Sequence, residues 1–104
     1  MLFDQGTPVP LRRLLAGCDV RTAFELGWSN LENGALLAAA EGADVDVFVT
    51  TDKNLKYQQK TVGRRIAIIV LSTTSWPRIE KNASGILTAL IAATAGDFIE
   101  VEIA

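Results

Sequence analysis

The sequence predicts a three-layer α/β/α sandwich built on a mainly parallel sheet of five strands. Strand-like apolar runs alternate with helix-like segments along the whole chain. The run 66–71 is continuously apolar, which is typical of a central parallel strand covered on both faces. The segment that follows Pro77 has apolar residues at intervals of three and four, which is typical of a helix packed on a sheet.

Length and composition predict one folded domain over residues 1–104. Hydrophobic residues make up 49% of the chain and charged residues 21%, which is a globular composition. No apolar run approaches the roughly 20 residues that span a bilayer, and no signal-like segment begins the chain. We therefore expect a soluble, cytoplasmic protein without membrane contact.

The composition also limits the chemistry of any site. The chain contains no histidine and one cysteine, Cys18. This excludes an internal disulfide, imidazole acid–base catalysis and metal sites built from histidine or clustered cysteine. Any catalysis must therefore use carboxylates, amides, hydroxyls and amines.

The order of patterns along the chain predicts the individual elements. Thr7 is expected to cap the first helix, with Pro8 in its first turn, and Asn30 to cap the second. In chain order the predicted elements are a strand 1–3, a helix 8–17, a strand 18–25, a helix 31–42, a strand 46–51, a helix 53–60, a strand 66–71, a helix 77–95 and a strand 98–103.

These elements predict a topology. We expect the first strand near the centre, flanked by the second and third, with right-handed crossovers. A crevice then opens beyond the carboxyl ends of the strands where successive connections leave in opposite directions. Glu100 and Glu102 share one face of the last strand, which predicts a strand at or near the edge of the sheet.

Two acidic residues, Asp4 and Asp52, follow strands that we expect to be neighbours. Two close carboxylates repel each other unless one is protonated or a cation lies between them. Oxygen ligands suit Mg²⁺ or Mn²⁺, and such an ion activates water at a phosphodiester without histidine. The alternative is capping, which fits Asp52 ahead of the helix 53–60. Capping fits Asp4 less well, because Thr7 is already the expected cap.

Basic residues are concentrated after the third predicted strand. Half of all lysines and arginines lie within thirteen positions: Lys53, Lys56, Lys60, Arg64 and Arg65. The three lysines share one helical face, which could hold phosphates, and Tyr57 could stack on a base. The alternative is an ordinary solvated helix face. Trp28 and Trp76 lie in polar loops, where they either cover the core or belong to a partner surface.

Several short stretches together resemble a known family over nearly the whole chain. They are Leu2-Phe3-Asp4-Gln5, Gly27-Trp28-Ser29, Asn33-Gly34, Phe48-Val49-Thr50-Thr51-Asp52-Lys53-Asn54-Leu55, Tyr57-Gln58-Gln59 and Gly63-Arg64-Arg65-Ile66-Ala67. On these stretches the chain resembles the bacterial PIN-like proteins of the DUF5615 family. The resemblance implies a PIN-like α/β/α sandwich with a parallel sheet. PIN domains as a class are Mg²⁺- or Mn²⁺-dependent nucleases, often the toxin of a toxin–antitoxin pair.

The resemblance also implies a site. Asp4 and Asp52 match the first and later acids of PIN domains, which favours metal binding over capping. The chain departs from the pattern at Ala35 and Asn54, where relatives or many PIN sites have an acid. Glu32, one helical turn before Ala35 on roughly the same face, is expected to compensate through a bound water.

The leading hypothesis is a metal-dependent ribonuclease of toxin type. Its expected catalytic residues are Asp4, Asp52 and Glu32, with Asp4 and Asp52 as ligands of Mg²⁺ or Mn²⁺. The expected substrate-binding residues are Gln5, Asn33, Lys53, Asn54, Lys56 and Tyr57. RNA and a small antitoxin protein are the expected partners, and a homodimer is compatible with the sequence.

Two other hypotheses belong to different classes. The first is a catalytically degenerate PIN-like module that binds a partner protein or nucleic acid, motivated by Ala35 and Asn54. The second is a flavodoxin-like or receiver-type signalling domain. A receiver needs a lysine after its fifth strand, and the predicted fifth strand here is followed by none.

Overall fold

A computed structural model describes residues 1–4, 6–15, 19–31, 33–52 and 65–103. In chain order its elements are β1 Leu2–Phe3, a 3-10 helix Val9–Leu15, β2 Arg21–Thr22, α1 Asn33–Gly42, β3 Val47–Thr50, β4 Ala67–Leu71, α2 Trp76–Lys81, α3 Ala83–Ala92 and β5 Phe98–Val101. The predicted helix 53–60 lies outside the described residues. None of the described helices is long and apolar enough to cross a membrane.

The five strands form one parallel sheet in the order β2-β1-β3-β4-β5. Phe3 is in register with Val49, Val49 with Ile69, and Ile69 with Ile99. The prediction that β1 lies between β2 and β3 is therefore confirmed. The long apolar strand β4 is internal and buried at every position, as its sequence predicts.

Helices cover both faces of the sheet and complete the predicted three layers. Side chains alternate between the faces along each strand, so Phe48 and Ile68 lie on one face and Val49 and Ile69 on the other. The first face packs against α1 through Leu36, Leu37 and Ala40. The second packs against the 3-10 helix, α2 and α3 through Leu11, Leu15, Ile79, Ile86 and Leu90.

The crossover connections are not all of one hand, so the prediction that all are right-handed is wrong. The connections β2–β3 and β4–β5 both step toward the β5 edge, but they pass over opposite faces. They therefore have opposite hands. The connection β1–β2 steps in the opposite direction to β2–β3 and passes over the opposite face, that of α2 and α3. Because both the direction and the face are reversed, the two connections have the same handedness. Of these three connections, β4–β5 is the one that differs in handedness, and its two helices contact the 3-10 helix and share its apolar cluster.

β2 is shorter than the predicted strand 18–25, because a turn begins at its end. The Thr22 hydroxyl accepts from the Glu25 N–H at 3.1 Å, and Glu25 Oε1 accepts from the Thr22 N–H at 3.0 Å. This reciprocal pair has the form of a capping box. Arg12 of the 3-10 helix donates to both carboxylate oxygens of Glu25. Phe24 consequently lies in a turn and is 79% exposed instead of forming part of a strand.

The long helix predicted over 77–95 is divided at Asn82. Pro77 lies in the first turn of α2, as predicted, and the buried positions Ile79, Ile86 and Leu90 follow the predicted stripe. Asn82 has φ −108° and ψ 16°, and its side-chain amide donates to the Arg78 carbonyl at 2.8 Å. An asparagine that bonds the main chain in this way competes with helix continuation.

The start of α1 differs from the prediction, whereas the position of β5 agrees with it. α1 begins at Asn33, so Asn30 is not its cap and Leu31 precedes the helix. β5 lies at the sheet edge, as predicted. Glu100 and Glu102 are exposed there, whereas Ile99 packs against the core on the other face.

Candidate functional site

The candidate site lies at the carboxyl ends of β1 and β3. The connection from β1 leads to β2 on one side, and the connection from β2 leads past β1 to β3 on the other. Such a reversal opens a crevice between the two strands in parallel α/β sheets. Asp4 directly follows β1, and Asp52 follows β3 by two residues. The structure therefore brings both predicted acids to the same edge of neighbouring strands.

The Asp4 carboxylate is held by three donors. Its Oδ1 accepts from the Thr7 N–H at 3.0 Å and the Thr7 hydroxyl at 2.7 Å. Its Oδ2 accepts from the Thr50 hydroxyl. Both threonines are buried, and Asp4 is half-buried. A carboxylate has about four lone-pair sites, so these bonds fix its orientation and leave one direction for a further partner.

Thr50 connects the two acidic positions. Its hydroxyl donates to Asp4 Oδ2 and accepts from the Asp52 N–H at 3.1 Å. The main chain of Asp52 is thereby two hydrogen bonds from the carboxylate of Asp4. Thr50 is fully buried at the end of β3, so its hydroxyl has a fixed place in the core.

Thr7 does not act as the predicted helix cap. Its hydroxyl is oriented toward Asp4 and toward the carbonyl of Val49, 3.0 Å away, on the neighbouring strand. It is Asp4 that accepts the Thr7 N–H, in a tight turn closed by a second bond from that N–H to the Asp4 carbonyl at 3.2 Å. Asp4 therefore caps this turn, although the sequence made capping a less favoured role for Asp4.

Gly6 lets the turn 4–7 approach the end of β3 closely. A Cβ built on Gly6 would lie 2.5 Å from Thr51 Oγ1 and 3.7 Å from Asp4 Oδ1. Carbon and oxygen atoms do not approach to 2.5 Å without strain. A residue larger than glycine at this position would therefore displace Thr51 or the turn that holds Asp4.

A pocket of about 140 Å³ opens beside Asp4. Its lining residues come from the turn 4–7, the segment that follows β2 and the first turns of α1: Asp4, Gly6, Ala23, Trp28, Ser29, Leu31 and Leu36. The main chain fixes this wall, since the Ala23 N–H donates to the Phe3 carbonyl and the Trp28 N–H to the Ala23 carbonyl. The indole of Trp28 also packs against the core face of α1.

Of the other predicted site residues, the structure describes Asn33 alone. Gln5, Glu32, Lys53, Asn54, Lys56 and Tyr57 lie outside the described residues. Asn33 begins α1, and Ala35 is exposed in the same helical turn.

Of the five clustered basic residues, the structure describes Arg65, which precedes β4 at the amino end of the sheet. It lines a cavity of about 240 Å³ there with Glu41, Asp44 and Asp46. The predicted lysine face, Lys53, Lys56 and Lys60, lies outside the described residues.

The donor set at the site consists of oxygen atoms. Within the described part of the chain, no three acidic, histidine or cysteine side chains are grouped so that they could hold one metal ion. At most two described carboxylates can therefore share an ion, and Asp4 and Asp52 are at the appropriate edge. Mg²⁺ is often bound by one or two carboxylates, with waters and substrate phosphates completing its coordination. In donor chemistry, the oxygen atoms of Asp4 and Asp52 suit such an ion.

Sequence reasoning missed three residues of the site, namely Thr7, Thr50 and Trp28. For Trp28 the sequence left two roles open, covering the core or forming a partner surface. Thr7 was expected to cap a helix and instead binds Asp4. The signal for Thr50 was its position at the end of a buried apolar strand, directly before Thr51 and Asp52. A hydroxyl at such a position must find a partner, because buried polar groups are nearly always hydrogen-bonded.

Comparison of the chain with known protein families, with curated proteins and with solved structures finds no match.

Proposed function

We propose that this protein is a metal-dependent ribonuclease of PIN-like type, acting in the cytoplasm as the toxin of a toxin–antitoxin pair. The observation that supports this proposal is the hydrogen-bonded link Asp4–Thr50–Asp52 at the switch between β1 and β3. It joins two acidic positions through a buried hydroxyl at the edge where parallel α/β sheets hold their ligands.

The chemistry of the proposal follows from the arrangement of Asp4. Its three hydrogen bonds leave acceptor capacity on Oδ2 and prevent the side chain from rotating away. A bound Mg²⁺ or Mn²⁺ would activate water and stabilise negative charge on a phosphodiester. Asp4 and Asp52 would hold the ion, while Thr7 and Thr50 would keep Asp4 in the ligating orientation.

A catalytically degenerate module that binds a partner protein or nucleic acid is the second candidate. The observation that favours it is Ala35, whose methyl group is exposed in the first turn of α1 where an acid would be expected on the family resemblance. Calorimetric titration with Mn²⁺ separates the two candidates. A nuclease takes up the ion at Asp4, and Asp4→Asn abolishes that uptake, whereas a degenerate module shows no uptake that depends on Asp4.

The direct test is RNA cleavage in the presence of Mn²⁺ by four proteins: wild type, Asp4→Asn, Asp52→Asn and Asp46→Asn. Asp46 is the matched control, because Asp46 and Asp52 flank opposite ends of β3. We expect the first two variants to lose cleavage and Asp46→Asn to retain it. Thermal unfolding of each variant shows whether a loss reflects misfolding. Equal cleavage by wild type and Asp4→Asn would remove the proposed site.

The assignment as a toxin has its own test. Expression of the wild-type chain in a bacterial host is expected to arrest growth, and expression of Asp4→Asn is not. Growth arrest by both proteins at equal abundance would separate toxicity from the acid pair and contradict the assignment.

A further inference from the structure

The pocket beside Asp4 differs in chemistry from the acid pair that it adjoins. Four of its lining side chains are apolar or aromatic: Ala23, Trp28, Leu31 and Leu36. Asp4 supplies a polar group on the side of the crevice. Ala23 and Leu36 are almost fully buried, so the accessible surface of the pocket is largely polar, with the indole of Trp28 as its aromatic element. An aromatic side chain beside polar groups suits a flat heterocycle, which stacks through its face and hydrogen-bonds through its edge.

We infer that this pocket is a subsite for one unpaired nucleobase of a single-stranded nucleic acid, with Trp28 as its stacking surface. The inference rests on the proposed function in one respect, since Asp4 belongs both to the acid pair and to the pocket. A phosphate at the crevice would place the base of an adjoining nucleotide at the pocket. The volume of about 140 Å³ is below the roughly 300 Å³ of a usual ligand cavity, so it admits part of a ligand.

The wall of the subsite is rigid, which is what a stacking surface requires. The segment that follows β2 is held by the reciprocal bonds of Thr22 and Glu25 and by Arg12, which donates to Glu25. The main-chain N–H of Trp28 donates to the Ala23 carbonyl at 2.8 Å, which fixes the backbone at this residue. Its indole is already ordered against the core, so stacking a base on it costs little side-chain entropy.

The same segment carries large apolar side chains that are exposed. Phe24, next to the lining residue Ala23, is 79% exposed, and Leu31 is 39% exposed. Exposed aromatic rings along a strand-binding groove stack on bases without regard to sequence. The subsite therefore favours unpaired strands, because the faces of paired bases are covered by their neighbours in the duplex.

The experiment uses the two tryptophans of the chain as reporters. In Trp76→Phe the remaining indole is Trp28, and in Trp28→Phe it is Trp76, which packs on the opposite face of the sheet. Each variant is titrated at low salt, in EDTA, with a short single-stranded RNA and with an abasic strand of equal length. Fluorescence anisotropy of a dye on the strand measures binding in parallel.

We expect the RNA to quench Trp28 and to leave Trp76 unchanged. We also expect the abasic strand to bind about 5- to 100-fold more weakly and to quench neither reporter. Equal affinity for both strands, equal quenching of both reporters, or no binding at all would overturn the subsite. Both proteins keep an aromatic ring at position 28, so the comparison of strands does not depend on a variant that removes the ring from the fold.

This outcome is independent of the proposed nuclease activity. Base-dependent quenching of Trp28 by a protein that cleaves no RNA would retain the subsite and reject the nuclease. Cleavage that requires Asp4, without base-dependent quenching, would retain the nuclease and reject the subsite.

Discussion

The buried hydroxyl of Thr50 donates to Oδ2 of Asp4, a residue 46 positions earlier in the chain, and so joins the ends of β3 and β1. The same hydroxyl accepts from the Asp52 N–H. One side chain thus sets the orientation of the first acid and the position of the backbone at the second. This places the geometry of the candidate site under the control of a residue that is not itself a ligand.

Thr50→Val removes the hydroxyl and keeps the volume of the side chain. Asp4 then loses one of its three donors, and the Asp52 N–H loses its acceptor. We expect Mn²⁺ affinity and RNA cleavage to fall about 10- to 100-fold, as when an outer partner of a metal ligand is removed. Stability should fall by about 1–3 kcal/mol, because two part-buried hydrogen bonds are lost. Calorimetry, an activity assay and urea unfolding measure the three effects.

The control for this variant is Thr50→Ser, which keeps the hydroxyl and removes a methyl group. We expect it to retain Mn²⁺ affinity and cleavage within a few-fold of wild type. If serine is as damaging as valine, the methyl packing of Thr50 and not its hydrogen bonds matters for the site.

Gly6 provides a second test of how the turn 4–7 meets β3. In Gly6→Ala the new Cβ would lie 2.5 Å from Thr51 Oγ1, so one of the two segments must shift. We expect a loss of about 1–3 kcal/mol, the usual range for overpacking. Thr51→Ala removes the contacting oxygen, so the double variant should recover most of the loss. A double-mutant cycle by urea unfolding measures this coupling, and additive effects would show that the two residues do not clash.

The sheet was predictable because its signals are local. The apolar runs of β3 and β4 and the alternation of β5 indicate strands whatever their neighbours are. The strand 18–25 was predicted too long, although Thr22 and Glu25 have the spacing of a capping box. That spacing indicates a turn, and it outweighs the weak apolar pattern of Val20 and Phe24. The division at Asn82 escaped prediction, since the buried stripe continues across it.

The two acids of the site were predictable from the sequence, but the side chains that hydrogen-bond to Asp4 were not. Strand order alone places Asp4 and Asp52 at one edge, because both follow neighbouring parallel strands. The bonds from Thr50 to Asp4 and from Thr7 to the Val49 carbonyl depend on how closely two distant segments approach, and no local pattern reports that distance. The bonds between Thr7 and Asp4, by contrast, belong to a local turn. Arg65 belongs to the basic cluster by sequence proximity alone. It directly precedes β4, and that position belongs to the amino end of the sheet.

Ile86 and Ile91 form a matched pair on α3. Ile86 is fully buried in the core face, whereas Ile91 is 78% exposed on the same helix. We expect Ile86→Ala to lower the free energy of unfolding by about 2–5 kcal/mol through lost burial and a cavity. Ile91→Ala should change it by less than about 0.5 kcal/mol. Urea unfolding of both variants measures the difference, and similar losses would contradict the packing of α3.

Glu25 gives the wall of the pocket a pH dependence. The hydrogen bond from Arg12, followed by that from the Thr22 N–H, lowers the pKa of Glu25 below its ordinary value of 4.5. A carboxyl whose pKa is lowered by folding adds stability above its unfolded pKa and loses it as the pH falls through the folded value. Glu25→Gln should therefore be less stable than wild type at pH 7, and the difference should shrink as the pH falls below 4.5.

Thermal unfolding of both proteins across this range measures the effect. The control is Glu102→Gln, because Glu102 is exposed near the sheet edge and has no such ion pair among the described residues. It reports the cost of replacing an exposed glutamate that lacks such a pair. A Glu25→Gln difference that is constant from neutral to acid pH would mean that the charge of Glu25 does not stabilise the turn. The rigidity of the Trp28 wall would then depend on its main-chain bonds alone.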